Sequence, residues 1–218
     1  MPASLDSVTQ VLCVRHGETD WNKATRIQGQ LDIPLSAVGF AQARALADAL
    51  EHEALHAVYA SDLARAMATA LTVSERKDLP LLLDTGLRER HFGDFQGLTW
   101  LEIEQQFPQA SERWRRRDPL FAALGGENLQ QFYARCVSAV EAIARQHLGQ
   151  TILVVAHGGV LDCLYRAAMR LPLEAPRTWM LGNAVINRLI YTPQGFGLVG
   201  WNDGAHLERG VLDEGAAA

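Results

Sequence analysis

Cysteine is scarce in this chain: three copies, Cys13, Cys136 and Cys163, with no CxxC pair and no metal-ligand spacing. That scarcity excludes a disulfide framework and a zinc-ribbon or redox-pair protein. Cys13 and Cys163 stand among apolar neighbours and read as small core residues. No apolar run approaches the ~20 residues that a membrane span needs. The opening residues, Met1-Pro2-Ala3-Ser4-Leu5-Asp6, lack the basic segment and apolar stretch of a secretory signal. Positive charge is not in excess either. The 20 Lys and Arg residues face 25 Asp and Glu, a formal net charge of -5. That balance argues against nucleic acid or an anionic membrane as partner. It leaves an anionic small molecule open, since a site needs only local positive charge. Internal repeats and low-complexity linkers are missing, so one domain over residues 1–218 is expected, and the want of a secretory signal and of a membrane-length run makes the cytoplasm its expected place.

What the chain does have is 48% hydrophobic residues over 218 positions, enough for one sizeable core. Apolar runs and helix-spaced stripes alternate along it. Strands are expected at 9–14, 55–60, 79–83 and 151–156, with a closing pair at 185–191 and 197–201. Helices are expected after Ser36, over 62–73 with Ser61 or Asp62 as cap, and over 99–107, 127–148 and 160–169. This alternation predicts an α/β protein: a three-layer α/β/α sandwich with a mostly parallel central sheet. Pro80 points to an edge position for the third strand. Residues 98–126 read as a helical insertion over the sheet end, of the kind that acts as a lid. Residues 1–8 read as a loose terminus, and 210–218 as a disordered tail.

Two of these strands end alike. Val11-Leu12-Cys13-Val14 stops at Arg15-His16-Gly17, and Thr151-Ile152-Leu153-Val154-Val155-Ala156 stops at His157-Gly158-Gly159. A run apolar at every position suits a strand buried on both faces. Ligands of open α/β sheets bind at such strand ends. An isolated Arg-His-Gly triplet is most often a surface loop; its echo 141 positions later, from His16 to His157, changes that weighting. Arg65 falls in the first turn of a helix, where an anion gains both a guanidinium and free N–H groups.

Four ordered motifs carry a family resemblance: Arg15-His16-Gly17-Glu18-Thr19 with Trp21-Asn22, then Ser61-Asp62-Leu63-Ala64-Arg65-Ala66, then Leu87-Arg88-Glu89 with Gly93 and Gly97, then Ala156-His157-Gly158-Gly159. Together they resemble the histidine phosphatase superfamily, the phosphoglycerate mutase-like proteins, over about residues 11–207. The chemistry of the residues agrees with what the resemblance implies. His16 is the candidate nucleophile, since a neutral imidazole can accept a phosphoryl group. Glu89 is the candidate proton donor, a carboxyl group to protonate the leaving oxygen and then to take a proton from water. Arg15 and Arg65 hold phosphoryl charge, and His157 adds a third positive group if protonated. Asn22 offers an amide donor; Gln28, Gly29 and Gly158 complete the candidate substrate contacts. Gln28 and Gly29 stand equally well as simple turn residues.

No metal and no cofactor are expected, because a zinc site at His16 and His157 lacks an HxxxH or Cys/His cluster nearby. His91 reads as structural and His206 as a packing or hydrogen-bonding residue, while His52, His56 and His147 read as solvated. The expected partner is a small phosphorylated metabolite; oligomeric state is open, a homodimer being one option. Hydrolases and mutases of this family share the core residues. Trp100 stands where the mutases carry a lysine, the stretch 117–157 is short, and Gly125-Gly126-Glu127-Asn128 resembles a phosphatase run. A phosphomonoester hydrolase is therefore expected, with a 2,3-bisphosphoglycerate-dependent phosphoglycerate mutase as the alternative. An inactive phosphate-ester-binding module ranks third. If Arg115, Arg116 and Arg117 face inward, they favour substrates with a second anionic group. If they face solvent, Trp100, Phe107 and Phe121 are expected to line a more apolar pocket.

Overall fold

The computed structural model describes residues 8–212. Its strands are β1 (Thr9–Arg15), β2 (Ala57–Ala60), β3 (Leu81–Leu83), β4 (Thr151–Ala156), β5 (Ile186–Thr192) and β6 (Gly195–Asp203). They form one six-stranded sheet in the order β3-β2-β4-β1-β5-β6. The first four are mutually parallel, whereas β5 and β6 add antiparallel strands beyond β1. The helices are α1 (Asp20–Lys23), α2 (Ala37–Ala49), α3 (Ala64–Lys77), α4 (Trp100–Gln106), α5 (Pro108–Arg115), α6 (Leu129–Arg145), α7 (Gly158–Met169) and α8 (Ala205–Leu212).

Alternation along the strands builds two cores, one on each face of the sheet. Val11, Cys13, Ile152 and Val154 pack with Phe132, Cys136 and Val140 of α6 and Leu161 and Leu164 of α7. Leu12, Val14, Leu153 and Val155 pack instead with Leu46 of α2 and Ala66, Ala70 and Val73 of α3. β4 is buried at all six positions, as its unbroken apolar run requires. Truncating a residue such as Leu153 to alanine costs about 2–5 kcal/mol by transfer and cavity terms. All three cysteines are free and buried. No helix among the described residues is long and apolar enough to cross a membrane.

The structure departs from the expected elements at several points. Neither Ser61 nor Asp62 caps α3; its N-cap is Leu63, without a side-chain bond. Asp32, distant in sequence, accepts from Ala64 N at 2.7 Å instead, because Asp62 is taken by Arg88. Glu127 lies outside α6, whose N-cap is Asn128 in a reciprocal box with Gln131. Pro108 ends α4 and also starts α5 at its first turn, where its missing N–H costs nothing. α8 was not anticipated and takes in 210–212 of the expected tail; 213–218 and 1–7 lie outside the described residues. His52 and His56 are exposed as expected. His147 is not, since Tyr59 Oη and Gln150 Oε1 meet its ring nitrogens at 2.9 and 2.7 Å.

Segment 98–126 has a small core of its own. Phe95 gathers Phe107, Trp114 and Phe121 at ring-centroid distances of 5.5, 5.4 and 6.1 Å. Ile103 beneath them is fully buried.

Candidate active site

β1 and β4 pair in parallel register, Arg15 opposite Ala156, so the next residues emerge side by side. His16 N donates to Ala156 O at 3.0 Å, and the rings of His16 and His157 lie 5.2 Å apart, centroid to centroid. Gly17 then turns the chain against α2: a Cβ there would fall 2.5 Å from Gly39 O. His16 Nδ1 lies 2.7 Å from Gly17 O. A carbonyl only accepts, so Nδ1 carries the proton and Nε2 keeps its lone pair. Burial, then Arg15 and Arg65, hold the His16 pKa well below its ordinary value. Burial, then Arg65, His16 and Arg15, do the same to His157. Both imidazoles are therefore neutral in the free pocket, so the third positive group foreseen at His157 is not there before an anion binds.

Two arginines flank the pair. Arg65, in the first turn of α3, is 1% exposed, and its Nη1 and Nη2 donate to Leu31 O and Gly29 O at 2.8 and 2.6 Å. Burial brings its pKa down to about 10, still charged at neutral pH. Arg15 donates from Nη1 to Leu181 O at 2.7 Å. The Nε atoms of both arginines and both ring nitrogens of His157 are buried without a hydrogen-bond partner. The two arginine N–H groups and the one protonated nitrogen of the neutral His157 ring are buried donors that demand an acceptor, and a tetrahedral oxyanion supplies several.

Glu89 closes the other side. Its Oε2 accepts from Gly159 N at 3.0 Å in the first turn of α7, and its Oε1 from Arg90 N at 2.8 Å. A Cβ at 159 would stand 2.2 Å from Glu89 Oε1, so a side chain there must displace the carboxylate. Arg135 of α6 fixes the loop behind, donating to Gly86 O, Arg88 O and Glu89 O while paired with Glu127. Asn22 Oδ1 accepts from Thr19 N and Oγ1 at 3.0 and 3.1 Å, leaving its amide N–H groups for the pocket.

Arg15, His16, Asn22, Gln28, Gly29, Arg65, Glu89 and Gly158 all line one cavity of about 440 Å³, with His157 fully buried beside His16. The volume is in the usual range for a small-ligand site. Gln28 and Gly29 are thus wall as well as turn. Arg26, Phe92, Arg177, Trp179 and Leu181 line it too, and sequence reasoning missed them. Arg26 follows the first motif and is forked to Glu102 at 2.9 and 3.2 Å. The stretch 171–185 carried no periodic signal at all.

Neither expected arrangement of the insertion holds. No residue of 98–126 lines the cavity. Arg115 pairs with Glu104 across the ring of Trp100, and Arg116 with Glu112, both toward solvent. Arg117 reaches Asp162 at 2.8 Å and Leu173 O at 2.8 Å. Phe107 and Phe121 pack inward on Phe95 rather than on the cavity, and Trp100 packs on Trp114. Among the described residues, no three His, Cys, Asp or Glu side chains are grouped to hold a metal ion.

The sequence profile described as "Histidine phosphatase superfamily (branch 1)" matches residues 11–204. The metal-independent phosphoserine phosphatase of Arabidopsis thaliana is 40% identical over 212 residues, 95% of this chain and 87% of that protein. Phosphoglycerate mutase-like protein 4 of the same plant is 37% identical, over 94% and 90%. The mycobacterial glucosyl-3-phosphoglycerate phosphatase Rv2419c, solved in complex with VO3, superimposes with a TM-score of 0.80 at 35% identity. That match covers 89% of this chain and 99% of that one.

Proposed function

This chain belongs to the histidine phosphatase superfamily and is a phosphomonoester hydrolase, and from that premise we propose that it passes the phosphoryl group of a small metabolite first to His16 and then to water. The carrying observation is His16 Nε2: a free lone pair on a neutral ring, beside the unpartnered Nε atoms of Arg15 and Arg65. In the first step the Nε2–P bond forms and the ester P–O bond breaks, and Glu89 gives its proton to the departing alkoxide. In the second, Glu89 takes a proton from water, the water oxygen bonds to phosphorus, and Nε2 leaves.

Charge is the main barrier to this chemistry. A unit ion pair at ~4 Å is worth ~4 kcal/mol at an effective dielectric near 20, so two guanidiniums on one dianion form a large term. A bound dianion also reverses the electrostatics at His157, which then becomes a proton-bearing donor to a phosphoryl oxygen. Asn22, Gln28, Gly29 and Gly158 bound the phosphoryl site. The reaction draws on no metal and no cofactor, since fixed guanidiniums neutralise the phosphate. The cytoplasm suits such an enzyme.

A mutase must hold its substrate's carboxylate and keep water from phosphohistidine. The arginines of the insertion face away from the cavity, which favours hydrolysis. The test supplies 3-phosphoglycerate with and without catalytic 2,3-bisphosphoglycerate and follows inorganic phosphate against 2-phosphoglycerate. Phosphate release unchanged by the bisphosphate is expected. Fast isomerisation with negligible phosphate would reverse the assignment in favour of the mutase.

A further inference from the structure

We propose that Arg177 is a specificity-determining residue that binds a second anionic group, a carboxylate or another phosphate, on the alcohol portion of the substrate. This rests on the phosphatase reading above and deepens it. Four arginines line the cavity. Arg15 and Arg65 flank His16 and carry buried, unpartnered Nε atoms, and Arg26 is neutralised by its fork to Glu102. Arg177 alone of the four makes no hydrogen bond or ion pair with the described residues, and it is exposed at the cavity rim. It is near enough to the reaction centre for its charge to be felt by Arg15. An arginine without a partner at a cavity mouth that already holds two buried cations raises the local repulsion. An anionic ligand group relieves it, and a planar fork of donors suits a carboxylate or phosphate in particular.

The segment that carries Arg177 is held rigidly enough for specificity. Arg166 of α7 is fully buried; its Nη1 and Nη2 donate to Pro172 O and Ala175 O at 2.6 and 2.9 Å. Its guanidinium lies 4.8 Å from the ring centroid of Trp179, which also stacks on Tyr165 at 4.1 Å. Trp179 lines the cavity two residues beyond Arg177. The backbone is thus held on both sides of Arg177, and its exposed side chain has no partner among the described residues. Pre-organisation of this kind lowers the ordering cost of binding. The phosphoryl group and a second anion then occupy one cavity, with the alcohol carbon frame between them.

The test compares two substrates that differ in charge more than in size: 3-phosphoglycerate and glycerol 3-phosphate, a carboxylate against a hydroxymethyl group. Fructose 1,6-bisphosphate against fructose 6-phosphate asks the same of a second phosphate. Arg177→Ala is expected to lower kcat/KM about tenfold more for the charged member of the preferred pair, mostly through KM. That is the lower end of what hydrogen bonds to charged groups contribute, as befits an exposed site. Arg177→Lys should recover part of the loss. Binding of the same pairs to His16→Ala and to His16→Ala/Arg177→Ala, by calorimetry, reads the contact without turnover. Failure of hydrolysis therefore stays distinguishable from failure of this assignment. An Arg177→Ala effect equal on charged and uncharged members, in both kinetics and calorimetry, would overturn it. A carboxylate-only or phosphate-only difference supports it and names the anion.

Discussion

On one side of the cavity, His16 and His157 follow directly from two central strands, and Arg65 and Gly159 stand in the first turns of α3 and α7. On the other side, residues 171–185, themselves neither helix nor strand, carry Arg177 and Trp179. The first side is positioned by backbone. Register fixes the two histidines, and the helix starts supply the N–H that holds Glu89. The second side is suspended by side chains that reach its carbonyls: Arg166 at Pro172 and Ala175, Arg117 at Leu173, Trp201 at Met180, Arg15 at Leu181. Chemistry common to a family suits the side set by backbone. Substrate choice suits the side whose supports can change one residue at a time. If this division is right, damage to each side should show up in different kinetic constants.

The largest separation is expected from Glu89→Gln. Loss of a general acid costs typically 10²–10⁴-fold when the leaving group is an alkoxide. p-Nitrophenolate leaves without a proton, so that substrate should lose far less in kcat. Gly159→Ala, which pushes a methyl group into Glu89 Oε1, should copy the same selective loss. Equal losses on both substrates would remove Glu89 from the acid role.

Breaking the suspended side should act on stability and KM. Asp162 takes both Arg117 at 2.8 Å and Arg166 at 3.0 Å, with side chains 7% and 0% exposed for Asp162 and Arg166. Asp162→Ala leaves a buried guanidinium without its carboxylate, a cost of about 3–5 kcal/mol by urea unfolding. Asp162→Asn should cost less. In the milder variant KM for a metabolite ester should rise more than kcat falls. A loss confined to kcat would show that the two sides are not separable.

The smallest effect concerns pH. His16 and His157 have folded-state pKa values below the ordinary 6.5. Below pH 6.5 the unfolded chain therefore binds more protons than the folded one, and stability rises with pH there. Their contribution is complete above about pH 6.5 and is lost as pH falls toward the depressed values. A His157→Asn variant should show a flatter fall of the urea midpoint on acidification. An unchanged slope would mean that His157 does not titrate in this way.

The backbone-set side was legible because both histidines end apolar runs and the helix face that Arg65 shares is set by spacing. It was silent on Arg177: Pro176-Arg177-Thr178-Trp179 has no period, and its supports lie on α7, β6 and the insertion. Aromatic residues misled the reading of the insertion for a related reason. Trp100, Phe107 and Phe121 have one another to pack against, which composition alone cannot reveal. The cap of α3 shows the same limit on a smaller scale. A carboxylate at the right local position, Asp62, was diverted by Arg88, and Asp32 came from another loop to replace it.

The central claim is that the phosphoryl group rests on His16 between ester and water. Rapid mixing with a labelled monoester, followed by an alkaline quench and peptide mapping, tests it most directly. The account predicts acid-labile, base-stable phosphate on the peptide containing His16, formed and consumed at the rate of turnover. It also predicts none in His16→Ala, whose kcat should fall by a factor on the order of 10⁴–10⁶. Label on another residue, or a His16→Ala enzyme that retains full activity, would contradict it.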